Sequence, residues 1–329
     1  MGGDYAPQAP IAGSLHALAT LGSELEIELV GRSDVITAEL DRVLRDDLAP
    51  LAAHRSRLHI VEAPDVIEMT DKPTSVRSKA NSSMMVGLRR VAAGQAHAFV
   101  SAGNTGAQMA ASLLLLKLHA GLTRPAIGTI FPTAQQPVLV LDSGANVDCS
   151  PAELVQFARI GTIYARDLLG RENPTVGLLS IGEEAEKGNA AVKEAHQKLL
   201  ASGLNFIGNV EGRDIPRGHC DRGAIDVVVC DGFVGNVLLK FYESIAPMLI
   251  GMVSQSAGLD ARELRRSLTQ LDADEYGGAP LLGVRGVSVI SHGKSSPRAL
   301  MNAIRVALRA YESGMTVDIG QALAEGEAS

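Results

Sequence analysis

Two short runs set the pattern of the chain: Val138-Leu139-Val140-Leu141 and Val227-Val228-Val229 carry no polar residue. Unbroken apolar runs of this kind suit strands buried on both faces of a mainly parallel sheet. Elsewhere the apolar positions recur at helical spacing, as with Leu154, Phe157, Ala158, Ile160 and Gly161 along Ala152 to Leu169. Ser150 and Pro151 stand just before that stretch, as a cap and a first-turn proline. The pattern predicts strands at Leu25–Val30, Leu58–Val61, Ala98–Val100, Ala126–Phe131, Val138–Asp142, Thr175–Ile181, Asn205–Ile207, Ile225–Cys230 and Val287–Ile290. Helices are predicted at Ala12–Leu21, Ala38–Leu48, Ser82–Ala93, from Thr105 onward, and at Ala152–Leu169. This alternation predicts an α/β fold: a mainly parallel sheet with helices on both faces.

The predicted strands end alike, in small and polar residues. Ser101-Ala102-Gly103-Asn104-Thr105-Gly106, Asp142-Ser143-Gly144-Ala145-Asn146, Ser180-Ile181-Gly182-Glu183-Glu184, Asp231-Gly232-Phe233-Val234-Gly235-Asn236 and Ser291-His292-Gly293-Lys294-Ser295-Ser296 all follow apolar runs. Open α/β sheets bind ligands beyond the carboxyl ends of their strands. Where a helix follows, its first N–H groups and its dipole favour an anion such as phosphate. Ordinary turns use the same residue types, so each loop alone has a purely structural reading. The opening Met1-Gly2-Gly3-Asp4-Tyr5-Ala6-Pro7 is a loop of the same kind with no strand before it. The expectation is that a first strand precedes Met1 and that this start is an internal Met; a flexible terminus is the alternative.

Composition narrows the class. Over 329 residues, 46% are hydrophobic and 20% charged, which suits a folded globular chain. Aromatics are 3% with no Trp, and the formal net charge is −7, which argues against a nucleic-acid partner. The cysteines, Cys149, Cys220 and Cys230, lack metal-type spacing and suit free thiols in a reducing compartment. No secretory signal pattern or membrane span is read, so the expected location is the cytoplasm. A GxxxxGK[ST] phosphate loop, a GxGxxG fingerprint, Gly-x-Ser-x-Gly and HExxH are all missing.

One stretch stands apart. Residues 241–278 read as a helical hairpin, with Ile245, Met248, Leu249, Met252 and Val253 as an apolar stripe. Gly258 breaks the run, and a second arm carries Leu264, Leu268 and Leu271 with Arg262, Arg265 and Arg266. Such a stripe packs in a core or dimer contact, or dips into a lipid interface beside anionic headgroups. The arginines would equally receive an acidic partner protein.

Longer segments carry a family resemblance: MGGDYAP at the start, SAGNTGA at 101–107, LDSGANVDC at 141–149 and LLSIGEEAEKGN at 178–189. VEGRDI at 210–215, VCDGFVGNVLLK at 229–240, EYGGAPLLGV at 275–284 and SHGKSSPRA at 291–299 continue the series. Together they resemble the bacterial acyl-acyl-carrier-protein:phosphate acyltransferases of phospholipid synthesis, the PlsX family. The resemblance implies one phosphate acyltransferase domain over 1–329, akin to isocitrate dehydrogenases and phosphotransacetylases, with 241–278 as an inserted hairpin. It implies transfer of a long-chain acyl group from acyl-carrier protein to inorganic phosphate, without a cofactor or metal. A homodimer, peripheral membrane attachment and a downstream glycerol-3-phosphate acyltransferase are further implications.

The residues fit such a reaction without a protein nucleophile, because phosphate itself can attack the thioester. Asn104, Lys187, Asp231 and His292 are the candidate catalytic groups. Gly103, Thr105 and the Gly106 backbone would bind phosphate or the oxyanion, and Asn146, Asn189 and Asn236 would orient reactants. Lys294 and Arg298 would neutralise phosphate, while Gly232, Gly293 and Ser295 line the cleft. Asp4 and Asp142 would orient basic groups or take a phosphate proton. Leu249, Met252, Val253, Arg262, Arg265 and Arg266 would contact membrane or carrier protein. The alternatives are a phosphotransacetylase-like enzyme using short acyl-CoA, and a non-catalytic membrane scaffold.

Overall fold

A computed structural model describes residues 1–257, 260 and 273–327. In chain order the elements are α1 (Gln8–Thr20), β1 (Ile27–Gly31), α2 (Ser33–Arg45), β2 (Leu58–Glu62), α3 (Ser83–Ala92), β3 (Ala98–Ser101) and α4 (Thr105–Leu115). Next come β4 (Ala126–Ile127), β5 (Thr129–Phe131), β6 (Val138–Leu141), α5 (Pro151–Leu169), β7 (Val176–Leu179), α6 (Ala190–Leu200) and β8 (Phe206–Val210). The rest are β9 (His219–Cys220), β10 (Gly223–Ala224), β11 (Val227–Val229), α7 (Gly232–Ala257), α8 (Ala273–Tyr276), β12 (Ala279–Leu282), β13 (Val287–Ile290), α9 (Pro297–Glu312) and α10 (Met315–Glu327).

Within the stretch read as one domain, the chain groups into two compact units. Unit 1 is Met1–Lys117 with Asp274–Glu312, and unit 2 is Leu118–Ala273 with Ser313–Ser329.

In unit 1, β1 pairs parallel with β2 and β3 pairs parallel with β13, which is antiparallel to β12. Ile11, Leu15 and Leu18 of α1 pack with Ile36 and Leu40 of α2 and with Leu29 and Leu58. In unit 2 the strand order is β5-β6-β11-β7-β8, parallel except for β5. Every residue of β6 and β11 is buried, as their unbroken apolar runs predict. Gly161 lets α5 lie close on this sheet, because a Cβ there would meet Leu141 Cδ1 and Val227 Cγ1, each at 2.7 Å. α5 opens with a full capping box between Ser150 and Glu153 and has Gly170 as its left-handed C-cap.

Several boundaries differ from the expectation: α1 begins at Gln8 rather than Ala12 and α2 at Ser33 rather than Ala38. The Ala126–Phe131 strand is split into β4 and β5. The hairpin's first arm does not begin near Phe241: α7 is one helix from Gly232 to Ala257, with Pro247 inside it. Of the second arm, Arg262, Leu264, Arg265, Arg266, Leu268 and Leu271 lie outside the described residues.

Candidate active site

Each unit gathers its polar strand ends around the starts of helices. In unit 1, β3 leads to Asn104, which caps α4 by accepting from the Ala107 N–H at 2.9 Å. After β13, the Ser296 hydroxyl accepts from the Ala299 N–H at 3.1 Å, in the first turn of α9. In unit 2, Asn189 caps α6 by accepting from the Val192 N–H at 2.9 Å. Asp231 receives the Val234 N–H at 2.8 Å, in the first turn of α7. In each case a side chain satisfies one first-turn donor, while earlier N–H groups of that turn have no partner within the helix. Helix starts of this kind favour an anion through oriented N–H groups and a positive dipole end, but at α7 the Gly232 N–H is taken by the Asn146 carbonyl and the cap is itself a carboxylate.

Three loops of unit 1 meet through their backbones. The Asp4 N–H donates to the Gly293 carbonyl at 2.8 Å, and the Ser291 N–H to the Ser101 carbonyl at 2.8 Å. A Cβ on Gly3 would lie 2.8 Å from the Ala102 oxygen and 3.4 Å from the Gly293 oxygen. Asp4, Gly3, Ala102 and Gly293 thus form one patch. The Gly103 N–H donates to Ser101 Oγ at 3.0 Å. Gly106 packs the first turn of α4 against Pro73, whose Cγ a Cβ would meet at 2.9 Å. Thr105, His292 and Lys294 are exposed around this patch, and Ser295 is buried.

Asn104 has a second task. Its Nδ2 donates to the carbonyls of Asp71 at 2.9 Å and Met69 at 3.1 Å. The amide is thus occupied at both ends, and its demonstrated work is to hold the 68–71 loop against α4. Lys79 closes that loop from the far side, with Nζ 2.6 Å from Asp71 Oδ2 and 2.9 Å from the Val66 carbonyl. Nothing local in the sequence reveals a loop anchored across thirty-odd positions. Arg298, expected to neutralise phosphate, forms an ion pair with Glu275, so its charge is already answered.

In unit 2 the 142–146 turn is organised from inside. Asp142 has no exposed surface. Its carboxylate accepts from the N–H groups of Ile127 (3.0 Å), Gly144 (3.2 Å), Ala145 (3.0 Å) and Asn146 (2.7 Å), and from Asn146 Nδ2 (2.9 Å). Burial pushes this carboxyl up from its usual value, and the hydrogen bonds pull against that shift. Asn146 is buried too and donates to the Pro125 carbonyl at 2.8 Å. The expected contact of Asp142 and Asn146 with substrate is therefore corrected. Both build the turn from within, because a ring of inward-facing N–H groups needs an acceptor.

The start of α7 rests directly on that turn. The Gly232 N–H donates to the Asn146 carbonyl at 2.8 Å, and a Cβ on Gly232 would sit 2.7 Å from Asp142 Oδ2. A Cβ on Gly235 would overlap the Asp142 carbonyl oxygen. Asn236 is exposed, with its side chain near Gly144. Lys187 and Asn189 are exposed in the 180–189 loop. Glu183, Glu211 and Asp214 cluster nearby, but Arg213 bridges to Glu211 at 2.5 Å and to Glu183 at 3.4 Å, making an ion-pair network of them.

The thiols are held neutral. Burial, and then Asp142, push the Cys149 thiol up to about 12, and buried Cys230 is raised well above its usual value. Neither offers a thiolate near neutral pH.

From Gly232 onward α7 carries exposed apolar residues at helical spacing: Phe233, Val237, Phe241, Met248 and Met252, flanked by Leu249 and Val253. By length and composition, Gly232–Ser256 is long and apolar enough to cross a membrane.

A family model described as fatty acid synthesis protein matches residues 1–318. The chain belongs to this family. Relatives include the phosphate acyltransferase of Desulforamulus reducens, 46% identical over 333 residues, covering 98% of this chain and 95% of the relative. The phosphate acyltransferase of Heliobacterium modesticaldum is 47% identical over 330 residues, covering 97% and 94%. Among solved structures, a branched-chain phosphotransacylase from Enterococcus faecalis V583 matches with TM-score 0.60 at 17% identity, covering 94% of this chain and 96% of that one. The EutD phosphotransacetylase from Staphylococcus aureus matches with TM-score 0.56 at 12% identity, covering 92% and 99%. These likenesses place the family's fold with the phosphotransacetylases.

Proposed function

We infer that this protein is an acyltransferase that moves an acyl group onto inorganic phosphate, and that its donor is a long-chain acyl-carrier-protein thioester. The relatives named phosphate acyltransferase support the reaction class. One chemical observation carries the mechanism: the site loops present N–H groups at helix starts, while the nearby thiols are kept neutral. The nucleophile then arrives with the substrate. A phosphate oxygen attacks the thioester carbonyl carbon, the tetrahedral oxyanion collapses, the C–S bond breaks, and carrier protein leaves as its thiolate. In unit 1 the first-turn N–H groups of Thr105 and Gly106 would hold phosphate or the oxyanion and exposed Lys294 would offset charge; in unit 2, exposed Lys187 is the corresponding cation beside the start of α6. In unit 1 His292 is exposed next to Gly293, whose carbonyl accepts from the Asp4 N–H, while in unit 2 Asp231 and Asn189 act through their caps.

The exposed apolar face of α7 favours a second element of this reading. Leu249, Met252 and Val253 would enter a lipid interface, where the acyl product is handed to a glycerol-3-phosphate acyltransferase; a homodimer contact would cover the same face. The deciding assay compares palmitoyl-carrier protein with acetyl-CoA, scoring phosphate-dependent release of free carrier or CoA. Turnover of palmitoyl-carrier protein alone supports the reading. Efficient turnover of acetyl-CoA with none of the carrier substrate would replace it by a short-chain phosphotransacetylase.

A further inference from the structure

A buried amide in unit 2 ties the turn that carries Lys187 to the sheet and to α6. Asn209 lies on β8 with no exposed surface, where an unpaired amide would be costly. Its Nδ2 donates to the Glu184 carbonyl at 2.8 Å, and its Oδ1 lies 2.9 Å from Nδ1 of His196 on α6. The direction of both bonds follows from their chemistry. A carbonyl only accepts, so the amide nitrogen faces Glu184 and the amide oxygen faces His196. Nδ1 of His196 therefore carries a proton. His196 is itself buried, and its ring stands edge-on to Phe206 with centroids 5.1 Å apart.

The Glu184 carbonyl is the pivot of this arrangement. It also accepts the Lys187 N–H at 3.0 Å, which closes the turn. Its two lone pairs are then both used, one by the turn and one by the buried amide. The Lys187 stem lies across Gly182, where a Cβ would come 2.9 Å from Lys187 Cγ and 3.4 Å from Cδ. Asn189 caps α6, the same helix that brings His196 to Asn209. From the other side, the Arg222 guanidinium donates to the Asn209 carbonyl, with its Nη1 3.9 Å from Glu183 Oε2. A lysine on an exposed turn has backbone and rotamer freedom to lose before it can meet an anion in one place. A turn fastened to a strand loses the backbone part of that freedom in advance.

We propose that Asn209, oriented by His196, is the positioning residue for Lys187, holding that cation beside the start of α6 to receive inorganic phosphate. The inference rests on the phosphate-transfer reading above and adds to it the device that aims the charge. An apolar residue of similar size would fill the end of β8 equally well, but only an amide joins an imidazole N–H to a turn carbonyl.

The test uses two pairs of changes. Asn209→Asp keeps the volume and the acceptor for His196 but sets an oxygen against the Glu184 carbonyl. His196→Phe keeps a ring against Phe206 and removes the donor, while His196→Asn restores a donor at the place of Nδ1. Amide exchange at Lys187 is measured together with KM for phosphate and KM for the acyl donor, palmitoyl-carrier protein or acetyl-CoA, whichever the wild type turns over. Asn209→Asp and His196→Phe should speed exchange at Lys187 and raise KM for phosphate by about tenfold, the worth of one hydrogen bond to a charged group. KM for the acyl donor should stay put, and His196→Asn should return both readouts toward wild type. In a Lys187→Ala background Asn209→Asp should add nothing further to KM for phosphate. If Asn209→Asp does not fold, the His196 pair carries the same comparison. Unchanged exchange at Lys187, an equal rise in both KM values, or a full extra loss in the Lys187→Ala background overturns the proposal in favour of a packing role. A Lys187→Ala protein with wild-type KM for phosphate overturns it through its premise: Lys187 then has no part in the reaction, although exchange still shows the tie to Asn209.

Discussion

Asn104 separates positioning from direct chemistry most sharply. Replacing it with Ala removes the cap on Ala107 N–H, worth about 1 kcal/mol. It also removes the Nδ2 bonds to the Asp71 and Met69 carbonyls, worth about 1 kcal/mol each. The expected loss is about 2–3 kcal/mol, or a midpoint lower by about 4–12 °C at 2–4 °C per kcal/mol. Asn104→Asp keeps the capping oxygen but turns a carboxylate oxygen toward those carbonyls, so it should lose the loop while keeping the helix start. Thermal melts and hydrogen exchange at residues 68–71 give the structural side, and KM for phosphate against kcat gives the catalytic side. Both variants should release the 68–71 loop, with turnover falling in step. An Asn104→Ala protein that melts like wild type, keeps the loop protected and still loses turnover would refute the positioning role.

Three further outcomes follow from the geometry. Gly235→Ala drives a methyl into the Asp142 carbonyl and should cost more than about 3 kcal/mol in chemical unfolding, whereas Gly251→Ala on the same helix, with open space around it, should gain about 0.5–1 kcal/mol. A comparable cost at both positions would contradict the close contact. Cys149 has a thiol raised to about 12, so the neutral form persists through neutral and mildly alkaline pH. Its iodoacetamide labelling should stay slow from about pH 7 to about pH 9, where an ordinary thiol speeds up as it ionises near 8.5, and Cys149→Ser should keep activity. Leu249→Glu with Met252→Glu should abolish flotation with anionic vesicles and leave soluble turnover unchanged; equal flotation ends the membrane reading.

The α/β fold was legible because strands such as Val138–Leu141 are apolar at every position and α5 carries its own capping box. The positions of the site loops were legible for the same reason: glycine, serine and asparagine collect where strands stop. Their roles were not. Asn104, Asn189 and Asp231 look alike in sequence whether they bind a ligand or cap a helix, since the same oxygen does either job. Arg298 turns on a partner in a separate family segment, Glu275, and Asp142 turns on a ring of N–H groups that includes the distant Ile127 as well as its own loop. The two units were hidden because the first is discontinuous, resuming at Asp274 after the whole of Leu118–Ala273.

Direct attack by phosphate is the central claim, and a single turnover tests it. Enzyme in excess over radiolabelled palmitoyl-carrier protein is quenched at short times, with and without inorganic phosphate. The account predicts labelled acyl phosphate and free carrier only when phosphate is present, and no label on the enzyme at any time. Carrier released without phosphate, leaving the acyl group covalently on this chain, would contradict it.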